Sequence, residues 1–121
     1  MNGGVDRKEL SRRYKEGRRP MGVYRVRNLR SGRWLIGSSA DLPARLNRHE
    51  AQLRMGVHAN RELQRDWNEL GSDAFAFETL DTLEPPAEQP GYDPAADLRA
   101  LERMWLDKLV TEGVPGYEDR R

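Results

Sequence analysis

Hydrophobic and polar positions first fall into a clear pattern at residues 22–28. Gly22-Val23-Tyr24-Arg25-Val26-Arg27-Asn28 is rich in β-branched and aromatic side chains. Tyr24 and Val26 share one face and Arg25 and Arg27 the other, the period of a half-buried strand. Arg30-Ser31-Gly32-Arg33 supplies turn residues, and Trp34-Leu35-Ile36-Gly37 reads as a second strand, so the pair predicts a β-hairpin. Ser38, Ser39 and Asp41 are residue types that begin helices, and Pro43 is tolerated in a first turn.

The period then lengthens to that of a helix over residues 42–54. With Leu42 at zero and about 100° per residue, Leu46 falls near ~40°, Leu53 near ~20°, His49 near ~340° and Arg45 near ~300°. Arg45 and His49 therefore flank the apolar stripe, whereas helix charges usually prefer the opposite face. A second helix is predicted after Asn60, a good N-cap, with the stripe Leu63, Trp67 and Leu70 and a stop at Gly71. Residues 75–80 read as a third strand. Residues 84–96 carry Pro85, Pro86, Pro90 and Pro94 and are expected to form a mobile loop within one domain. A last helix spans about residues 97–110. Counting from Leu98, its stripe holds Leu101, Trp105, Leu106 and Leu109, and Glu102 lands near ~40°, in the middle. A carboxylate there is costly unless paired or metal-bound. A salt bridge to an arginine such as Arg45 is the structural alternative.

Composition adds an asymmetry. Charged residues make up 34% of the chain yet sum to only +1. Through Arg65 there are 16 basic and 6 acidic residues; from Asp66 onward there are 5 and 14. A basic first half suits nucleic acid, unless the two halves fold together and neutralise each other. With no cysteine, a disulfide framework, a Cys-ligated zinc site and a thiol nucleophile are all excluded. Neither an apolar leader nor a run long enough to span a bilayer is visible, so no membrane association and a cytoplasmic location are expected. The organisation expected is a basic arm at 1–20 with a candidate short helix, one domain at 21–110, and a C-terminal tail at 111–121.

The text of these elements resembles one family. GVY at 22–24, LIGSS at 35–39, ARLNRHEAQL at 44–53, GVHANRELQRDWNELGSDAFAFETL at 56–80 and LERMWLDKL at 101–109 resemble, in order and spacing, the GIY-YIG nuclease pattern. The resemblance implies an α+β fold of ββααβα order, a three-stranded antiparallel sheet flanked by helices. It implies a metal-dependent DNA endonuclease using one divalent ion, Mg2+ or Mn2+, and no small-molecule cofactor. Matching positions carry the family roles: Tyr24 as general base toward water, Arg45 on the scissile phosphate, and Glu102 as the metal ligand. His49 and His58 fall where relatives place histidines near the phosphate or nucleophile. Ser38 follows Gly37 in the pocket.

Those residue types suit the chemistry. A hard cation polarises a phosphoryl oxygen, and one carboxylate plus waters can hold it. A guanidinium meets the charge that develops on the phosphate. A tyrosine, with a pKa of about 10, needs neighbouring cations to serve as a base. Arg25, Arg27, Arg33 and Arg48 are further candidate DNA contacts. The second motif departs from the pattern, because Leu35 stands where a tyrosine is expected. The missing hydroxyl leaves two alternatives, a weak or inactive nucleic-acid-binding module and a protein-interaction domain. With no separate recognition domain after the core, low sequence specificity is expected.

Overall fold

A computed structural model describes residues 19–86 and 91–117, so the expected helix within the 1–20 arm lies outside the described residues apart from Arg19 and Pro20. Strands β1 (Met21–Asn28), β2 (Trp34–Ser39) and β3 (Phe75–Leu83) form one antiparallel sheet in the order β2-β1-β3. Helices α1 (Leu42–Met55), α2 (Arg61–Leu70) and α3 (Ala95–Thr111) complete the ββααβα order expected from the sequence. β2 runs through Ser39, two residues beyond the predicted end, which places Ser38 and Ser39 in the sheet and not at the head of the helix. Asp41 alone caps α1, accepting from Ala44 N at 3.1 Å.

β1 is central because its core face is continuous. Tyr24, Val26 and Asn28 pair across to Thr79, Phe77 and Phe75 on β3. On the other side Val26 meets Leu35 and Tyr24 meets Gly37. Directly opposed residues share a face, and α1 and α2 cover this one. Val26, Leu53, Leu63, Trp67, Ala74, Phe75 and Tyr117 form the core there, with Leu35, Leu70 and Phe77 packed on it. α1 stops at Gly56, which takes the left-handed conformation at φ 78° that lets its N–H close the last turn. α3 packs against β1 and β2 and is fixed to β3 by Trp105 Nε1 donating to Asp81 Oδ2 at 3.0 Å.

The segment after α3, part of the expected tail at 111–121, returns to the sheet at Gly116 and Tyr117. Tyr117 N donates to Trp34 O at 2.7 Å, and Gly116 forms a parallel bridge with Trp34. A Cβ on Gly116 would lie 2.8 Å from the indole, so only glycine permits this contact. The buried Tyr117 ring gives the segment its anchor.

Candidate functional site

A cleft of about 250 Å³ opens beside β2. It is lined by Tyr24, Leu35, Gly37, Ser38, Arg45, His49, His58 and Glu102, among others. Four elements and one turn supply these groups. Tyr24 comes from the core face of β1, opposite Gly37, where a Cβ would collide with the tyrosine hydroxyl. Gly37 therefore makes the space in which the phenol can sit. Arg45 and His49 are one turn apart on α1. His58 lies in the turn between α1 and α2, and Glu102 projects from α3.

A hydrogen-bonded chain crosses one wall. Tyr24 Oη lies 2.8 Å from His49 Nε2, and His49 Nδ1 lies 2.8 Å from His58 Nε2. The two imidazoles stack with centroids 5.0 Å apart. His58 Nδ1 accepts from Asn60 N at 3.0 Å. The His58 backbone is held in turn, its N–H donating to Gln64 Oε1 at 2.9 Å. Gln64 Nε2 donates to Leu53 O and Asn68 Oδ1, tying the turn to both helices. Burial pushes the His49 imidazole down to about 4, and the positive charges of Arg45 and Arg48 add to the effect. His49 is thus neutral at physiological pH.

On the facing side Ser38 Oγ donates to Glu102 Oε1 at 2.7 Å. Glu102 is half-buried, in keeping with its place in the apolar stripe. Among the described residues no cation lies within ion-pair distance of it, and Arg45 likewise has no carboxylate partner. The Glu102–Arg45 salt bridge considered from the sequence is therefore not formed. No group of three or more His, Cys, Asp or Glu able to hold a metal occurs among the described residues. Any cation here would rest on one carboxylate, and the oxygen not bonded to Ser38 is the one suited to it.

Three of the arginines singled out in the sequence are not brought to the cleft. Glu78 Oε1 accepts from Arg25 Nε and Arg27 Nε, each at 3.0 Å, and Glu78 Oε2 accepts from Arg27 at 2.9 Å. Burial works against ionising Glu78, but the Arg27 hydrogen bonds and the charges of both arginines outweigh it and hold the carboxyl below its ordinary value. Arg33 pairs with Glu62 at 2.6 Å and lies 4.2 Å over the Tyr117 ring. Glu78 of the acidic second half thus neutralises part of the basic first half, while Glu62 pairs with Arg33 from within that first half. Arg48 has no ion pair among the described residues and stays near enough to His49 to oppose its charge. Sequence reasoning missed Asn60 and Gln64 as parts of the site. Asn60 was legible only as a helix cap; the signal for Gln64 was a polar side chain beside Leu63 on the buried face of α2.

No family model matches the chain. It is 33% identical over 97 residues, 79% of its length, to "Intron-associated endonuclease 1" of Enterobacteria phage T4, and spans 35% of that endonuclease's length. Two solved structures of the catalytic domain of intron endonuclease I-TevI, one of them a mutant, superpose with TM-scores of 0.64 and 0.61 at 25% identity. Each covers 82% of this chain, which in turn covers 92% and 99% of them. By sequence and by fold together, the chain is a homologue of the catalytic domain of that phage intron endonuclease.

Proposed function

We propose that the chain is a DNA endonuclease that hydrolyses phosphodiester bonds with one divalent metal ion, Mg2+ or Mn2+. The observation that carries this reading is the meeting of Tyr24, Arg45, His49, His58 and Glu102 in one cleft. The homology to a catalytic domain supports it, as does a half-buried carboxylate that no arginine among the described residues neutralises. The residues suit a hard cation: Glu102 would hold it through one carboxylate, with waters and the substrate filling the remaining positions. When bound, such an ion polarises the phosphoryl oxygen and offsets developing charge.

The chain's own groups do the rest. Ser38 fixes the rotamer of Glu102 and leaves its second oxygen to face the cleft. Arg45 supplies guanidinium donors where charge builds on the phosphate. Tyr24 takes the proton of the attacking water. Arg45, Arg48 and Ser38 are the DNA contacts we assign; Arg25, Arg27 and Arg33 are occupied by carboxylates. Leu35 favours a second reading, a binding module without strong activity, because it lines the cleft without a hydroxyl.

Incubation of the protein with single- and double-stranded DNA, in Mg2+, Mn2+ or EDTA, tests both readings. Cleavage should require the metal, and Glu102→Ala should abolish it while leaving DNA affinity within a few-fold. Cutting that persists in EDTA overturns the metal requirement, whereas no cutting at all, while DNA still binds and Leu35→Tyr restores nothing, makes the binding module the better account.

A further inference from the structure

Elementary hydrogen-bond chemistry fixes the direction of the chain that runs from Asn60 to Tyr24. A backbone amide only donates, so His58 Nδ1, 3.0 Å from Asn60 N, must hold a lone pair. An imidazole bare at Nδ1 is neutral and carries its proton on Nε2. That proton faces His49 Nδ1 at 2.8 Å. His49 is then bare at Nδ1 as well and protonated at Nε2, the atom 2.8 Å from Tyr24 Oη. We propose that the backbone N–H of Asn60 sets the tautomers of both histidines, so that His49 serves Tyr24 as a hydrogen-bond donor and not as a proton acceptor.

The consequence reaches the phenol. A proton leaving Tyr24 toward His49 Nε2 would meet an N–H already there, and must go elsewhere. A donor aimed at the phenol oxygen stabilises its charged form, which is the form a general base needs. His58 and Asn60 are positioning residues in this scheme, acting through His49. The groups that face His49 preserve the arrangement: Tyr24 on β1, His58 in the turn, and Arg45 and Arg48 on α1. Glu102 of α3 lines the same cleft. Two cations and burial all oppose a second proton on the ring.

The source of the polarity is the start of a helix. The first N–H groups of a helix lack partners within it, and a side chain at the third helical position often serves the cap residue's own amide. Here that position is Leu63, which has no acceptor to offer. The Asn60 side chain still caps α2 by accepting from Leu63 N at 3.1 Å, while the Asn60 amide turns to His58. One residue thus ends the turn and orients the imidazole pair.

This inference depends on the nuclease reading only for what Tyr24 does to water, and its first test needs no cleavage. Nitrogen-15 spectra of the imidazoles in wild-type protein, free of metal and DNA, report the tautomers directly between pH 5 and 8. Both rings should appear as single Nε2–H tautomers, with His49 unchanged across that range. An Nδ1–H signal from either ring, or a tautomer mixture, overturns the proposal. The second test uses cleavage. The side-chain amide of His49→Gln can still donate toward Tyr24 but cannot accept a proton, whereas His49→Leu can do neither. The rate should fall less than about 10-fold in the first and more than about 100-fold in the second, the scale of a lost acid–base function. Equal losses in the two variants would mean that His49 does take the proton. Spectra as expected in a protein that cuts no DNA would sink the nuclease reading and leave the tautomer assignment standing.

Discussion

The core face of β1 carries a tyrosine-centred polar network near each end, and the two are wired in opposite senses. Near Tyr24 the neighbours are imidazoles and, beyond them, Arg45 and Arg48. Near Asn28, four residues along, Asn28 Nδ2 donates to Tyr117 Oη at 3.0 Å and Tyr117 Oη donates to Asp66 Oδ2 at 2.7 Å. Burial and the hydrogen bond to Asp66 push the Tyr117 phenol up to about 12, against the opposing pull of Asn28 and Arg33. Tyr117 keeps its proton and acts as a strut. What surrounds the hydroxyl decides its use: a carboxylate that accepts locks the phenol as a donor, and a neutral imidazole that donates prepares it to receive.

Removing each hydroxyl in turn should separate the two ends of β1 most strongly. Tyr24→Phe should lower the cleavage rate by about 100-fold or more, the range for a general base, with little change in melting temperature. Tyr117→Phe should do the reverse. It strands the buried Asn28 amide and is expected to cost about 1–3 kcal/mol, read by chemical denaturation, with the cleavage rate unaltered. If both variants lose rate, or both lose stability, the division between reacting end and structural end is wrong.

Acid sensitivity should separate the two ends next. The folded His49 titrates at about 4 and the unfolded side chain near 6.5, so the unfolded state binds more protons between those values. Stability from this group is complete above pH 6.5 and is lost as pH falls toward 4. Glu78, also held below its ordinary value, adds to the loss at the acid end. Melting curves of His49→Gln should decline less steeply than wild type between pH 6.5 and 5, while Tyr117→Phe should keep the wild-type slope.

The smallest effect expected concerns salt. Arg48→Ala should reduce the slope of log affinity for DNA against log salt by about one, the loss of one phosphate contact. Arg25→Ala should leave that slope unchanged and instead weaken the clamp around Glu78. Equal changes in slope would return Arg25 to the DNA-binding surface.

How much of this was legible depended on whether the cause was local. The hairpin, the α2 cap at Asn60 and the stop at Gly71 follow from turn, cap and period rules within a few residues. The helical period sets His49 beside its apolar stripe and Glu102 within its own, and both are half-buried in the structure. The Arg25–Arg27–Glu78 clamp was not legible. It needs the register of β1 against β3, which pairs Arg25 with Glu78 across 53 residues. The Tyr117 strut was hidden for the same reason, since Asn28 lies 89 residues away. The Asn60 amide escaped because backbone groups carry no sequence signature at all.

The seating of Gly116 and Tyr117 along the start of β2 also bears on how molecules of this chain meet each other. β2 is an outer strand, and an outer strand with open amides and carbonyls invites pairing with a second chain. Here the Trp34 carbonyl already accepts from Tyr117, and the indole is covered by a residue too small to be replaced. Trimming the segment before Val114, or enlarging Gly116, would uncover that edge and favour self-association through added strands, while leaving the cleft intact.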